Sequence, residues 1–388
     1  MSGYSEEFKA GPAAPAYDEI LPSRQGQDVR HASSRMPWWN PRYWRKGIWA
    51  AVILAFVVVL IIVIAVSVTK VKENRYPDYS PLSYSLADTY GGESFYDQFN
   101  YFTGYDPTQG FVHYVPREQA QALNLTSASA DSAFLRVDTS VGPNSEPNAS
   151  TGRFSVRVVS KKTYDSGLFI FDIKHTPYGC GTWPALWLTD PSNWPENGEI
   201  DIMEATNKAD TGNQMTLHTT KGCSMDVRRK NTGKILQKNC NHELNDNDGC
   251  GVKSDADGYG TGFNKNGGGI MAVEWRKEGI RMWQFARNSI PSDIKSNKPA
   301  PSTWGIAVAD FPSTDCNIGS HFKNQSIIAN IDLCGSLVSH VWADSECPGD
   351  CKSLVANNPE AFNNAYWEFG SFQVYQAKLV CSTRAAPL

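Results

Sequence analysis

Asn197-Gly-Glu-Ile-Asp-Ile-Met-Glu204 sets three carboxylates among apolar residues just after a turn rich in Pro, Asn and Gly. An isoleucine-rich, alternating run in that position favours a β-strand, in which residues two apart share a face. Glu199 and Asp201 therefore point the same way. Glu204 stands at an odd offset from Glu199 and belongs on the opposite face, unless one extra residue near Ile202 or Met203 forms a β-bulge and resets the alternation. With that bulge, three acids line one surface.

Acids alternating with apolar residues also describe the solvent face of any amphipathic strand, so the surroundings decide. Thr182-Trp-Pro-Ala-Leu-Trp-Leu-Thr189 and Trp194 lie immediately upstream. A solvated face has no need of indoles, whereas a carbohydrate cleft uses them as flat apolar platforms with a polar edge. Trp183, Trp187 and Trp194 are thus candidate sugar contacts. Two carboxyl groups ~5 to 5.5 Å apart suffice for retaining glycoside hydrolysis: one attacks the anomeric carbon, the other protonates the leaving oxygen and later activates water. A third acid makes full ionisation costly, so Asp201 can keep Glu204 protonated while Glu199 stays charged. His218, in the strand-like Met215-Thr-Leu-His-Thr219, is placed beside the acids if that strand neighbours theirs, and is assigned substrate contact. Met271 to Phe285 alternates like a hairpin with its turn near Glu278-Gly279, and its Trp275, Trp283 and Phe285 are expected in the core.

These residues resemble glycoside hydrolase family 16, in its fungal-type laminarinase or endo-1,3(4)-β-glucanase branch. The resemblance rests on Gly181-Thr-Trp-Pro-Ala-Leu-Trp-Leu-Thr-Asp190, Trp194-Pro-Glu-Asn-Gly-Glu-Ile-Asp-Ile-Met-Glu204 and Gln214-Met-Thr-Leu-His-Thr219, and extends from about Phe95 to Tyr366-Trp-Glu-Phe-Gly-Ser-Phe-Gln-Val-Tyr375. It implies a concanavalin A-like β-jelly roll of two antiparallel sheets with a concave glucan groove. It also implies Glu199 as nucleophile, Glu204 as acid/base and Asp201 as the carboxylate between them.

A second feature is independent of the first. Residues 47–69 are uncharged and apolar, and a helix rising ~1.5 Å per residue over that length crosses the ~30 Å hydrocarbon core of a bilayer. The run is too long and too far from the N-terminus for a cleavable signal peptide, so a signal anchor is expected. Arg30, Arg35, Arg42, Arg45 and Lys46 precede it, against Lys70, Lys72 and Arg75 after it, offset by Glu73, which favours a cytoplasmic N-terminus. Trp38, Trp39, Tyr43 and Trp44 suit the headgroup region before the span. All nine cysteines and the three N-x-S/T sequons at Asn124, Asn148 and Asn324 follow the span, which agrees with an extracellular or lumenal domain and a single-pass type II topology.

Nine cysteines in an oxidising compartment permit up to four disulfides with one thiol left over, and spacing does not give their pairing. Cys347-Pro-Gly-Asp-Cys351 reads as a loop disulfide and not as a metal or redox site. Asn245 to Gly249 and Asp255 to Gly258 resemble calcium-loop fragments but place Leu244 or Lys253 where a ligand oxygen is needed, and read as polar turns. Gly267-Gly-Gly269 lacks the Lys-Ser/Thr of a phosphate loop. No cofactor or metal motif is present, and a structural calcium is left open. The chain divides into a tail (1–46) expected to be disordered, the anchor (47–69), a stem (70–86) and one domain (87–388). A net charge of −4 offers no basic footprint for nucleic acid. The expected partners are a β-glucan and the membrane, with no protein partner implied. The expected function is a retaining endo-β-glucanase, with a transglycosylase or a noncatalytic glucan-binding protein as alternatives. Linkage preference is expected to lie in long insertions around Lys221 to Gly262 and Asp310 to Cys351.

Overall fold

In a computed structural model, which describes residues 46–73, 75–145 and 148–378, the strand expected at Glu199–Glu204 forms and lies inside an antiparallel sheet. Numbering strands along the chain, this sheet runs β12 (Lys234–Ile235), β13 (Cys250–Lys253), β11 (Gln214–His218), β10 (Glu199–Glu204), β9 (Thr182–Thr189), β17 (Gln325–Leu333), β7 (Arg157–Tyr164), β2 (Phe99–Tyr101). The second sheet runs β16 (Ala309–Pro312), β15 (Gly279–Ala286), β14 (Gly269–Arg276), β8 (Gly167–His175), β18 (Tyr366–Ala377), β5 (Ala133–Arg136), β4 (Thr126–Ala128), with β1 (Tyr84–Tyr90) also on β18. A short parallel pair, β3 (Val112–Tyr114) and β6 (Arg153–Ser155), completes the set. The chain thus forms the expected all-β sandwich.

One face of each sheet supplies the core. Leu186, Leu188, Ile200, Ile202 and Met203 come from the first sheet and Phe169, Phe171, Trp275, Phe369 and Phe372 from the second, all buried. The rings interlock edge to face, with Phe171 and Phe372 centroids 4.9 Å apart and Phe95 and Phe372 5.1 Å apart, as the quadrupoles of aromatic rings favour. Each such side chain contributes ~1.5 to 3 kcal/mol by leaving water. The hairpin expected between Met271 and Phe285 is β14 and β15, paired from Gly269↔Ala286 to Arg276↔Gly279. Trp275 and Trp283 are buried in it, while Phe285 is partly buried against Trp304.

The boundary expected between stem and domain at residue 87 falls inside β1, and the residues before it are already docked. Tyr84 Oη donates to Glu274 Oε1 at 2.9 Å, Arg276 Nη1 donates to the Ser80 carbonyl at 3.0 Å, and the Arg281 guanidinium lies 4.1 Å over the Tyr79 ring. Gly279 leaves room for this contact, since a Cβ there would stand 1.9 Å from the Tyr79 hydroxyl. A Pro/Ser-rich stretch reads as a linker because its composition hides Tyr79 and Tyr84, which meet buried Glu274 and the arginines beside it.

The apolar helix spans Lys46–Glu73, and its stretch Lys46–Val71 is long and apolar enough to cross a membrane. Residues 1–45, with the expected tail and its aromatics, and residues 379–388, with Cys381, lie outside the described residues. Four disulfides join Cys180 to Cys347, Cys223 to Cys316, Cys240 to Cys250 and Cys334 to Cys351. Cys347 and Cys351 are therefore disulfide-bonded as expected, but to Cys180 and Cys334 and not to each other. The segments taken as insertions are only partly loops, since they contain β12, β13 and β17.

Candidate active site

The bulge sits where alternation requires it. Along β9 the register reads Glu199↔Thr189, Asp201↔Trp187, Met203↔Leu186 and Glu204↔Ala185, so Ile202 is the extra residue. On the other side β11 offers His218 to Glu199, Thr216 to Asp201 and Gln214 to Glu204. Residues directly opposite one another share a face, so the bulge returns Glu204 to the face of Glu199 and Asp201 and leaves Ile200, Ile202 and Met203 to the core. A bulge also frees backbone groups from the ladder. Asn213 answers both: its Oδ1 accepts from the Glu204 N–H at 3.0 Å, and its Nδ2 donates to the Ile202 carbonyl at 2.9 Å. Gly198 begins the strand with φ +71°, and a Cβ there would lie 2.4 Å from the His321 carbonyl oxygen.

Three cross-strand rows result. Lys253, Gln214, Glu204, Ala185, Asn330 and Arg157 form one, Thr216, Asp201 and Trp187 the next, and His218, Glu199 and Thr189 the third. Asp201 is buried at 3 % exposure and His218 at 8 %, while Glu199 and Glu204 stay partly open. Trp183 donates from Nε1 to Glu204 Oε1 at 2.8 Å. Trp187 donates from Nε1 to Asn330 Oδ1 at 2.8 Å, and the Arg157 guanidinium lies 5.0 Å over its ring and 4.9 Å over that of Phe102. Trp194 is the most open of the three indoles, 39 % exposed, with its ring against His242 at 5.1 Å. The loop that carries it is organised by Asp190, which accepts from the side chains of Asn193, Asn197 and Asn324.

His218 lies beside the acids, and both its nitrogens face protein groups. Nδ1 is 2.9 Å from Asn247 Oδ1, and Nε2 is 3.2 Å from Asp201 Oδ2. An Nδ1–H donated to Asn247 leaves Nε2 facing a carboxylate, so the His218–Asp201 contact is favourable only if it holds a proton. Burial pushes the Asp201 carboxyl well above the usual range, and the neighbouring charge of Glu199 adds to it. Burial also raises Glu204, with Glu199 adding and the Trp183 N–H and His218 opposing. Burial alone would lower His218, but Asp201 and the charges of Glu199 and Glu204 carry it up to about 10. Burial and mutual charge thus favour the protonated forms of Asp201 and Glu204, which is the direction a general acid needs.

Glu199, Asp201 and His218 also bring one donor atom each within 4.8 Å of one another. Two of these atoms are the pair that faces across a proton, so the set suits proton sharing better than a cation. Asn213, Asn247, Asn330 and Arg157 escaped the sequence reading. Arg157 could have been flagged as a charge in an apolar strand, but side-chain bonds to a bulge or an indole leave no periodic signal.

Residues 99–375 match the XgeA-like, catalytic domain model of glycoside hydrolase family 16. A probable glycosidase of Schizosaccharomyces pombe is 45 % identical over 308 residues, covering 78 % of this chain and 72 % of its own. An endo-1,3(4)-β-glucanase of Arthroderma benhamiae is 40 % identical over 311 residues, covering 76 % of this chain, which spans only 65 % of that enzyme. Among solved structures, laminarinase 16A of Phanerochaete chrysosporium, with β-glucans in donor and acceptor sites, superposes with a TM-score of 0.72 at 42 % identity, over 76 % of this chain and 100 % of its own. An elongating family 16 β-1,3-glucosyltransferase does so with a TM-score of 0.70 at 37 % identity, over 76 % and 100 %. By sequence and by fold this chain is a glycoside hydrolase, and it belongs to glycoside hydrolase family 16.

Proposed function

We propose that the chain is a retaining endo-1,3(4)-β-glucanase that works by double displacement on cell-wall β-glucan. The observation that carries this reading is the convergence of Glu199, Asp201 and Glu204 on one face, with Glu204 held by the Trp183 indole. In the first step Glu199 attacks the anomeric carbon while Glu204 gives its proton to the departing glycosidic oxygen. In the second step Glu204, now ionised, takes a proton from water, which displaces Glu199. Asp201 and His218 hold a proton between them, while burial and the charge of Glu199 keep Glu204 protonated until the leaving group needs it. Trp187, stiffened by Asn330 and Arg157, and the open Trp194 are the sugar platforms. The apolar helix Lys46–Val71, read as a type II signal anchor, supports an extracytoplasmic domain.

Product analysis on laminarin and mixed-linkage glucan tests the reading, with Glu199→Gln alongside. Shortened products are expected from the native enzyme and a loss of at least ~10³-fold in the variant, the scale of removing a nucleophile. Undiminished turnover in Glu199→Gln would remove Glu199 from the mechanism, and retained binding without products from either protein would favour a glucan-binding role. Transfer is the second reading, favoured by the structural likeness to an elongating glucosyltransferase. It requires only that a sugar hydroxyl replace water in the second step, and products longer than the donor would establish it.

A further inference from the structure

A cleft of about 480 Å³ lies away from the acids, at the end of the second sheet where β4, β5 and β18 meet. Its lining includes Asn124, Phe134, Arg136, Phe362, Asn363 and Tyr366. Arg136 lies 4.2 Å over the Phe134 ring and 5.8 Å over Tyr366. Tyr366 is in turn fixed by a parallel stack on His175, centroids 3.7 Å apart and planes 7° off. Rigid rings beside a planar cation and an amide are the groups that hold a sugar, which presents an apolar face and a rim of hydroxyls.

Asn124, itself part of that lining, begins the sequon Asn124-Leu125-Thr126. It follows the short helix Arg117–Ala122 in the left-handed conformation at φ +55°. The Leu125 N–H bonds to the Ala120 carbonyl at 2.7 Å and the Asn124 N–H to that of Gln121 at 3.0 Å, which closes the helix as a Schellman motif. Glycine serves that closure at least as well. Asparagine alone adds an exposed amide nitrogen at the lip of the cleft. The other two sequons are built differently. Asn148 is exposed, with its Oδ1 accepting from the Ser150 N–H. Asn324 donates from Nδ2 to Asp190 in the loop of Trp194, and its Ser326 is buried in β17.

We infer that Asn124 carries an N-linked glycan whose first sugars seat in this cleft, so that the oligosaccharide becomes a packed part of the domain surface. The inference rests on the extracytoplasmic placement proposed above. The donor is a lipid-linked oligosaccharide diphosphate. Nδ2 forms a bond to C1 of its first N-acetylglucosamine, the C1–O bond to the diphosphate breaks, the lipid diphosphate leaves, and Nδ2 loses a proton. Arg136 and Tyr366 then hold the first sugars, while Asn363 offers a hydrogen-bonding amide.

The test uses the full chain from a glycosylating eukaryotic host. Site-resolved mass spectrometry should find glycan at Asn124 and at Asn148 and a bare amide at Asn324. Endoglycosidase acting on the native protein should release the Asn124 glycan about tenfold more slowly than from Arg136→Gln or Tyr366→Ala, the factor that ~1.4 kcal/mol of seating produces. Asn124→Gly keeps the left-handed turn and removes the sugar, and should melt at a lower temperature than the glycosylated parent. Glycan on Asn148 with Asn124 unmodified would overturn the inference alone. Equal release from parent and both variants would overturn the seating. Absence of glycan from both sites would overturn it together with the extracytoplasmic placement.

Discussion

Asn213 holds the bulge that aims Glu204, the proposed acid/base, although it carries no chemistry of its own. Truncating it to alanine strands the Glu204 N–H and the Ile202 carbonyl, and each buried group left without a partner costs ~1 to 3 kcal/mol. Asn213→Ala is expected to lose stability on that scale in chemical denaturation, and to lose kcat more than KM because Glu204 is no longer held on its face. Asp is not a remedy, since it cannot donate to the carbonyl. Where Asn213 holds the backbone of Glu204, Trp183 acts on its carboxylate. Its N–H stabilises the ionised form of Glu204, whereas the proposed mechanism begins from the protonated form. Activity should therefore fall as pH rises through the Glu204 pKa, which burial has raised. Trp183→Phe removes a contact that lowers that pKa, so the alkaline limb of the pH–rate profile should move to higher pH while the maximum rate drops. A limb that stays in place or moves down would exclude Glu204 as the acid, or Trp183 as its partner.

At the scale of the element, the strand Glu199–Glu204 was legible because a period of two is rigid. Three acids of mixed parity could share a face only through one extra residue, and the register supplies it at Ile202. The hairpin of β14 and β15 was legible for the same reason. What periodicity could not carry was anything settled by distant contact. Cys347 and Cys351 are neighbours in sequence, yet their partners come from the approach to β9 and the end of β17. The start of the domain was hidden likewise, since Tyr79 and Tyr84 gain their meaning only against Arg281 and Glu274. A domain begun at residue 87 would lack those contacts and half of β1. It is expected to melt at a lower temperature than one begun at residue 76, as calorimetry of the two would show. Equal melting would mean that the docked tyrosines contribute nothing to the fold.

Across the whole catalytic domain, disulfides bind together segments far apart in sequence. Cys223–Cys316 closes a separation of 93 residues, and a cross-link over so long a loop stabilises by about 2 to 5 kcal/mol. Replacing both cysteines by serine should lower the denaturation midpoint accordingly while leaving Glu199 and Glu204 in register. Groove specificity should change more than chemistry, read as a shift in the ratio of products from laminarin and mixed-linkage glucan. The bridge also sets a rule of inheritance. Residues 221–262 and 310–351 are joined by this bond, and the second stretch is tied besides to Cys180, so a graft of one stretch from a relative that lacks the matching cysteine leaves its partner as a free thiol. In recombination with such a relative the two stretches and the segment around Cys180 pass on as one covalently tied unit, whereas point changes within them leave the bonds whole.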